Sequence, residues 1–245
     1  MLRRYSLVFA LLLAAPGAHA QARDPILFVH GWRGSAEQWR PMMQRFEDDG
    51  WRRARMFAWT LDPRDSKAAA AAKIAARVDQ ILAATGATRV DIVTHSMGAL
   101  PTRYYLKNLE SEGKVDAWVS LGGPNHGIHL ADLCISADCR DMRRGSPFLA
   151  ALNRGDETPG DARYATWRSP CDEIIDPVET VVLEGATNHL TGCVSHLGLL
   201  RDPSIYRAVR DFVTRRTSGL VQASPAASGS LRRERGRMSV HTSSM

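Results

Sequence analysis

The stretch RVDIVTHSMGAL, residues 89–100, decides how the rest of this chain is organised. Its first half is rich in β-branched apolar residues, which is typical of a short buried strand. Its last residues begin a helical pattern, so Ser96 lies at a strand-to-helix turn beside Gly98. A serine on such a sharp turn indicates a nucleophile elbow, although Thr94 stands where glycine is usual. The alternative, that Ser96 only caps the helix, has less support because a buried strand precedes it.

The segments on either side predict an α/β fold. A helix is expected over 66–85, where apolar residues recur at helical spacing between a cap at Asp65 or Ser66 and Gly86. Further helices are expected over 36–46, 99–109 and 203–216. Besides the strand before Ser96, strands are expected at 25–29, 54–59, 115–121, 162–168 and 178–183. This alternation predicts a mostly parallel central sheet with helices on both faces.

The length and composition fit one sizeable domain. The chain has 245 residues, of which 44% are hydrophobic. Its formal net charge is +6, but residues 1–20 carry a net +2 and residues 218–245 a net +3. The body is therefore nearly neutral and does not predict a nucleic-acid surface. We expect an α/β catalytic domain over 21–217, followed by a disordered, basic Ser- and Ala-rich tail over 218–245.

The first twenty residues have the pattern of a signal peptide. Two arginines precede the apolar run 7–15, and Ala18 and Ala20 are the small residues that a signal peptidase reads. The apolar run is short for a membrane span, so cleavage after Ala20 is favoured over a retained anchor. The protein is therefore expected outside the cytoplasm, either in the medium or in the periplasm.

Two other segments follow predicted strands and are candidates for the site. The residues HGWRGS, 30–35, contain glycines that let the backbone approach a ligand, although they also suit an ordinary turn. The segment 128–160 is rich in charged and turn residues, and we expect it to be an insertion that borders the site as a partial lid. Trp32 and Trp167 are candidates for the walls of an acyl site or for core packing.

The cysteine count bears on compartment and on metals. Four cysteines in an exported protein predict two disulfides, and the absence of a C-x-x-C pair disfavours zinc. Three acids in the insertion (Asp132, Asp138 and Asp141) suggest calcium, but spaced acids on a loop are usually solvated. We therefore predict no metal and no cofactor.

Five motifs, taken in order, resemble those of a known family. They are ILFVHG, VDIVTHSMG, LGGPNHG, SPCDEII and CVSHLGLL. Their order is similar to that in small secreted bacterial triacylglycerol lipases, the minimal Bacillus lipases and the Streptomyces-type lipases. The resemblance covers residues 25–200 and is weakest across 128–160. Thr94, Ala99 and the cysteines depart from the family pattern, and none of these changes removes a chemical role.

The resemblance implies an α/β-hydrolase fold and a catalytic triad in the chain order Ser, Asp, His. Ser96 then matches the nucleophile, Asp172 the acid and His196 the base. The backbone N–H groups of Trp32 and Met97 match the oxyanion hole. Each role has a chemical reason, because a serine hydroxyl needs a base, the base needs a carboxylate, and the developing oxyanion needs N–H donors.

Alternatives for two of these roles lie nearby. His189 competes with His196 for the base, because it also follows the last predicted strand. Glu173 and Asp176 compete with Asp172 for the acid. The histidines beside the glycine-rich loop and the nucleophile, His30 and His95, are expected to serve in packing and hydrogen bonding.

The cysteines are expected to pair as Cys134–Cys139 and Cys171–Cys193. The first two are close in sequence, in a segment with little apolar material to hold it. The second pair flanks Asp172 and His196, and a hydrogen bond between those residues would make their loops neighbours. The other two pairings would link the insertion to both triad loops.

The sequence therefore predicts a secreted serine hydrolase that cleaves carboxylic esters of lipids through an acyl-enzyme. The alternatives are a short-chain or polyester carboxylesterase and, from a different class, a non-catalytic binding protein on the same fold. The expected partners are a lipid or ester substrate and, transiently, a lipid interface. We expect a monomer that binds no nucleic acid.

Overall fold

Six strands, each parallel to its neighbours, form the central sheet of a computed structural model that describes residues 23–215. They are β1 (Ile26–Val29), β2 (Met56–Trp59), β3 (Val90–His95), β4 (Val115–Leu121), β5 (Arg163–Arg168) and β6 (Thr187–Leu190). Their spatial order is β2-β1-β3-β4-β5-β6. The predicted α/β class with a parallel sheet is confirmed. The predicted signal peptide 1–20 and tail 218–245 lie outside the described residues.

Within the described residues, six α-helices connect the strands or close the fold. They are α1 (Arg40–Asp48), α2 (Lys67–Thr85), α3 (Ala99–Asn108), α4 (Ala137–Met142), α5 (Pro147–Leu152) and α6 (Pro203–Thr214). The ends of α2 agree with the sequence, because the Ser66 side chain accepts a hydrogen bond from Ala69 N and Gly86 adopts the left-handed conformation. Within residues 23–215, no helix combines the length and apolar character needed to cross a membrane.

Side-chain alternation along the strands builds a core on each face of the sheet. In β1, Ile26 and Phe28 pack into the core formed with α1 and α6. Leu27 and Val29 point the other way, into the core formed with α2 and α3. The predicted placement of helices on both faces is confirmed.

The carboxyl end of β3 lies at the middle of the sheet and marks the position of the site. Every residue of β3 is buried, and β1 and β4 pair with it on either side. Because the strands are parallel, the loops that follow β1, β3, β4 and β5 all leave the same edge of the sheet.

The segment 128–160 contains α4, α5 and a 3₁₀ turn at His129–Leu133. Contrary to the expectation that it lacks apolar material, it has a small core of its own with Met97 and Leu100 beneath it. The buried apolar residues that it contributes are Ile128, Ala131, Cys139, Met142, Leu149 and Leu152. An ion pair between the buried Lys67 of α2 and Asp138 of α4 fixes this segment to the main domain.

One predicted strand is wrong. Residues 178–183 contain a 3₁₀ turn at Val178–Val181, and the last strand is instead β6. Thr180 holds the turn in place, because its Oγ1 donates to Gly127 O at 2.7 Å and its carbonyl accepts from His126 N at 3.1 Å. These tertiary contacts override the β-branched composition of the segment.

Candidate active site

Ser96 occupies the turn between β3 and α3 that the sequence predicts. It begins a 3₁₀ turn, Ser96–Gly98, and its φ of 54° lies in the left-handed region that a non-glycine residue rarely adopts. Such strain persists only where surrounding contacts enforce it, and it concentrates at functional sites. The side chain is thereby presented at the carboxyl edge of the sheet.

Close packing around this turn explains its residue types. A Cβ added at Gly98 would lie 2.5 Å from His30 O, and one added at Gly31 would lie 2.6 Å from Ser96 Cβ. The elbow and the loop after β1 therefore touch, and neither position accommodates a side chain. Thr94 stands where glycine is usual, and it is fully buried. Its hydroxyl has a partner there, because Oγ1 donates to Val119 O at 3.0 Å.

His196 and Asp172 are brought together as the lipase resemblance implies. Nδ1 of His196 lies 2.8 Å from Oδ2 of Asp172, and both side chains are buried. The other oxygen, Oδ1, accepts the N–H groups of Ile174 and Ile175 at 3.0 and 2.9 Å. Burial acts to raise the pKa of Asp172, but the hydrogen bonds, from His196 above all, outweigh it and lower that pKa. The carboxylate is therefore kept ionised beside the imidazole.

The competing base His189, and His30, which is expected to pack, are both engaged elsewhere. His189 lies in β6 and stacks on Trp167, with ring centroids 4.4 Å apart. His30 Nε2 accepts from Leu61 N at 2.8 Å, and its Nδ1 lies 2.6 Å from Gly31 O. Burial lowers the pKa of His30, so it acts as a neutral packing residue of the glycine-rich loop.

The alternative acids have other partners as well. Asp176 pairs with Nδ1 of His129 at 2.9 Å. Glu173 Oε2 accepts the backbone N–H of His196 at 2.9 Å, so it contacts the main chain of the predicted base. Asp172 is the acid that contacts the imidazole of His196.

His95, the residue before Ser96, packs directly on His196. Their ring centroids are 4.4 Å apart, and His95 Nε2 donates to His196 O at 3.1 Å. Burial lowers the pKa of His95 to about 3, with the neighbouring His196 acting in the same direction. His95 is therefore neutral and serves as a hydrogen-bond donor, in agreement with the expectation that it packs.

Both disulfides are present with the pairing that the sequence predicts. Cys171 and Cys193 join the loop that carries Asp172 to the loop that carries His196, with a Cα–Cα distance of 5.0 Å. Cys134 and Cys139 close a short loop in the segment 128–160.

Ser96 and His196 open on a cleft of about 530 Å³. The segment 128–160 supplies half of its lining, as expected for an insertion that borders the site. The lining residues are Trp32, Gln38, Ser96, Ile128, Leu130, Ala131, Leu133, Cys134, Cys139, Met142, Glu173, Ile174, His196 and Leu197. Most of these side chains are apolar, so the cleft suits an acyl chain or another apolar group.

The two tryptophans proposed as acyl-site walls have different positions. Trp32 lines the cleft and is partly exposed at its rim. Trp167 is buried in the core against Phe212 and His189, so it is a packing residue.

The loop after β1 brings Trp32 close to the elbow. Arg33, with a φ of 53°, turns the chain here, and its guanidinium lies 4.6 Å above the Trp32 ring. Trp32 and Met97, the two predicted oxyanion donors, both line a second depression of about 380 Å³. Both therefore lie on the loops that flank Ser96.

Three carboxylates in the described part of the chain are grouped closely enough to hold a cation. They are Asp24, Asp91 and Asp116, whose oxygens lie within 4.8 Å of one another at the amino end of the sheet. Arg163 donates to Asp116 at 2.6 Å, so an arginine already supplies positive charge there. The acids of the insertion are instead spread out, with Asp138 paired to Lys67.

Two contacts with the base were not foreseen from the sequence, those of Glu173 and His95 with the main chain of His196. Each residue directly neighbours a predicted triad residue. That adjacency was the available signal, but a hydrogen bond to the backbone of a distant loop leaves no pattern in the sequence.

Comparison with known sequences identifies the family. The family model described as Lipase (class 2) matches residues 23–188. A triacylglycerol lipase of Burkholderia plantarii is 28% identical over 127 residues, 48% of this chain and 34% of that protein. One of Vibrio cholerae is 29% identical over 140 residues, 52% of this chain and 43% of that protein. The chain thus spans less than half the length of these curated relatives, and the matches confirm the resemblance drawn from the motifs.

Solved structures agree with the fold. The mature form of Bacillus licheniformis lipase BlEst2 has a TM-score of 0.68 at 20% identity, covering 79% of this chain and 93% of that one. Aspergillus fumigatus lipase B has a TM-score of 0.68 at 19% identity, covering 79% of this chain and 53% of that one. The predicted α/β-hydrolase fold is confirmed by this likeness.

Proposed function

We propose that this chain, which belongs to the class 2 lipase family, hydrolyses carboxylic esters of lipids through Ser96, His196 and Asp172. One observation carries the proposal. Ser96, held at a left-handed elbow, lines the same apolar cleft as His196, and the imidazole of His196 is hydrogen bonded to the buried Asp172.

The reaction follows from the chemistry of these groups. His196 Nε2 takes the proton of the Ser96 hydroxyl as Oγ attacks the ester carbonyl. Asp172 holds a proton on Nδ1 and stabilises the imidazolium that forms. The imidazolium then gives its new proton to the leaving alcohol. Water, activated by His196 in the same way, hydrolyses the acyl-enzyme and releases the fatty acid.

The negative charge on the carbonyl oxygen needs donors in the same place. We assign this role to the backbone N–H groups of Trp32 and Met97, since their loops flank Ser96. Each such donor contributes about 3 to 4 kcal/mol to the stability of the tetrahedral intermediate in serine hydrolases. The start of α3 adds the positive end of its helix dipole.

The apolar rim of the cleft favours a lipid substrate over a small soluble ester. Leu133, directly before the disulfide-closed loop of the insertion, and Ile135, within that loop, are 82% and 87% exposed. Leu130, Trp32 and Leu197 are also partly exposed and line the cleft. Exposed apolar side chains around a cleft mark an interaction surface, and a lipid–water interface is the partner that fits this one.

Export is part of the proposal. The two disulfides persist in oxidising compartments and are rare in the reducing cytosol. The predicted signal peptide supports the same location, either the medium or the periplasm.

An ester panel from C2 to C18 tests the substrate. The mature protein should hydrolyse long-chain triacylglycerol emulsions, and Ser96→Ala should remove the activity while leaving the fold intact. Activity confined to acetate and butyrate esters would favour a short-chain or polyester carboxylesterase. No hydrolysis of any ester by a folded protein would favour a non-catalytic binding protein.

The rim can be tested in the same assay. Replacing both Leu133 and Ile135 by serine should lower activity on emulsions several-fold and leave activity on a dissolved short-chain ester unchanged. Leu190→Ser is the matched control, because Leu190 is 61% exposed but lies in β6, outside the cleft lining. Equal effects of both changes on emulsions would contradict the assignment of the rim.

A further inference from the structure

The base of the proposed triad is held at its main chain as well as at its ring. Glu173 Oε2 accepts the N–H of His196 at 2.9 Å, and His95 Nε2 donates to the carbonyl oxygen of the same residue at 3.1 Å. Asp172 holds Nδ1 at 2.8 Å. Each clamping residue directly neighbours another triad residue, so three points of attachment tie the base to the nucleophile and acid segments.

The two main-chain clamps differ in charge and in exposure. His95 is buried and neutral, so it supplies geometry and carries no net charge. Glu173 is exposed, carries a carboxylate and lines the cleft beside His196. Glu173 is thus a second carboxylate next to His196. Asp172 bonds the imidazole ring, whereas Glu173 bonds the main chain.

We propose that Glu173 is a positioning residue that orients His196 and favours the imidazolium formed during acyl transfer, thereby setting the acidic limit of activity. The inference rests on the proposed function. Among the described residues, the titratable side chains that hydrogen bond to His196 are Asp172, Glu173 and His95, and the His95 ring also packs on it. A negative charge near an imidazole favours its protonated form, which is the form present in the transition states of both acylation and deacylation.

The charge of Glu173 also favours protonation of the free imidazole, and a protonated imidazole cannot act as the base. Removing that charge should therefore extend activity to lower pH and at the same time reduce the maximal rate. A residue with a purely structural role would reduce the rate at every pH and leave the shape of the pH profile unchanged.

The experiment compares Glu173→Gln, Glu173→Ala and Glu179→Gln with the wild type. Glutamine keeps an oxygen that can accept the His196 N–H but removes the charge, whereas alanine removes both. Glu179 is the matched control, an exposed acid outside the cleft lining. The measurement is kcat and KM for a dissolved short-chain ester from pH 4 to pH 9, at low and at high salt.

Both Glu173 variants should move the acidic limb of kcat/KM to lower pH, by about half a pH unit at low salt and by less at high salt. Glu173→Gln should lower kcat by roughly 2- to 3-fold, and Glu173→Ala by about 10-fold because the His196 N–H also loses its acceptor. KM should change little. Glu179→Gln should behave as the wild type does.

An unshifted acidic limb in both Glu173 variants would overturn the proposal, whatever happens to the rate. So would the same shift in Glu179→Gln, because it would make the effect one of general surface charge. A wild-type protein that hydrolyses no ester would instead refute the proposed function, and with it this proposal. Thermal unfolding of each variant checks that the fold is retained.

Discussion

Two buried aspartates at opposite ends of the sheet have pKa values that are shifted in opposite directions. Asp172 follows β5 at the carboxyl end, where donors from His196 and two backbone N–H groups outweigh burial and lower its pKa. Asp91 lies near the amino end of β3, where burial first, and then the charges of Asp24 and Asp116, raise its pKa well above the usual range. Burial alone therefore does not decide the charge of a carboxyl group.

The difference lies in the donors that each carboxyl group finds. Among the described residues, Oδ1 of Asp91 has no hydrogen-bond partner, and the Ala117 N–H and the charge of Arg163 only partly offset its burial. The pKa of Asp91 is thus raised, which favours its neutral form, whereas the pKa of Asp172 is lowered, which favours the carboxylate of the proposed triad. The same residue type therefore has its pKa shifted in opposite directions at the two ends, and the lowered pKa belongs to the carboxyl group that we propose as the acid of the triad.

The largest expected effect is a difference in kcat between variants of the two aspartates. Asp172→Asn should lower kcat on an ester by about 10⁴-fold, because the amide no longer holds the required tautomer or stabilises the imidazolium. Asp91→Asn should leave kcat within about 2-fold. Steady-state kinetics of the two variants make the comparison.

Similar losses of kcat in the two variants would mean that Asp91 also affects the active site. That result would contradict the proposed difference between the two aspartates. Thermal unfolding shows whether a low rate comes from a loss of fold rather than of chemistry.

The next effect concerns the covalent link at the carboxyl end. Cys193→Ser opens a bridge between residues 22 positions apart, which should lower the free energy of unfolding by about 3 kcal/mol. Activity should fall as well, because Asp172 and His196 lie on the two linked loops. Denaturant unfolding and ester hydrolysis are measured on the same preparation.

Cys139→Ser is the comparison within the insertion. Its bridge spans only five positions, so a loss of about 2 kcal/mol is expected. We expect activity on long-chain esters to change more than activity on acetate, because Cys134 and Cys139 line the cleft. A uniform loss over all chain lengths would argue that the insertion supports the fold and does not shape the acyl site.

The smallest expected effect is a pH dependence of stability at the amino end. A raised pKa means that folded Asp91 holds a proton that the unfolded chain releases near pH 4. Its contribution to stability is complete below that pH and is lost as the pH rises through the raised pKa. Asp91→Asn should remove this pH-dependent loss of stability. The Tm of the variant minus the Tm of the wild type should therefore increase with pH. A constant Tm difference at all pH values would show that folding does not raise the pKa of Asp91.

Much of the carboxyl end could be predicted from the sequence, and the reason is local. The apolar run before Ser96 and the glycines around it are demanded by one tight turn, so they leave a contiguous pattern. The caps of α2 at Ser66 and Gly86 are similarly local. Cys171 and Cys193 could be paired because Cys171 directly precedes Asp172 and Cys193 lies three positions before His196.

What could not be predicted depends on contacts between distant segments. Residues 178–183 have strand-like composition, yet Thr180 binds the loop that follows β4, and the segment forms a turn. The edge strand β6 has largely exposed residues and so no apolar pattern to reveal it. In the sequence Asp91 is an ordinary polar residue at the start of a strand. Its raised pKa comes first from burial and then from the charges of Asp24 and Asp116, which approach it only in the folded chain.

The central claim, that Ser96 is a nucleophile activated by His196, is tested most directly by a fluorophosphonate probe. Intact-mass and peptide analysis of the labelled protein should find one adduct, on the peptide that contains Ser96, and none in Ser96→Ala. His196→Ala should slow labelling by several orders of magnitude, whereas His189→Ala should label at nearly the wild-type rate. An adduct on another serine, or equal slowing by the two histidine changes, would contradict the account.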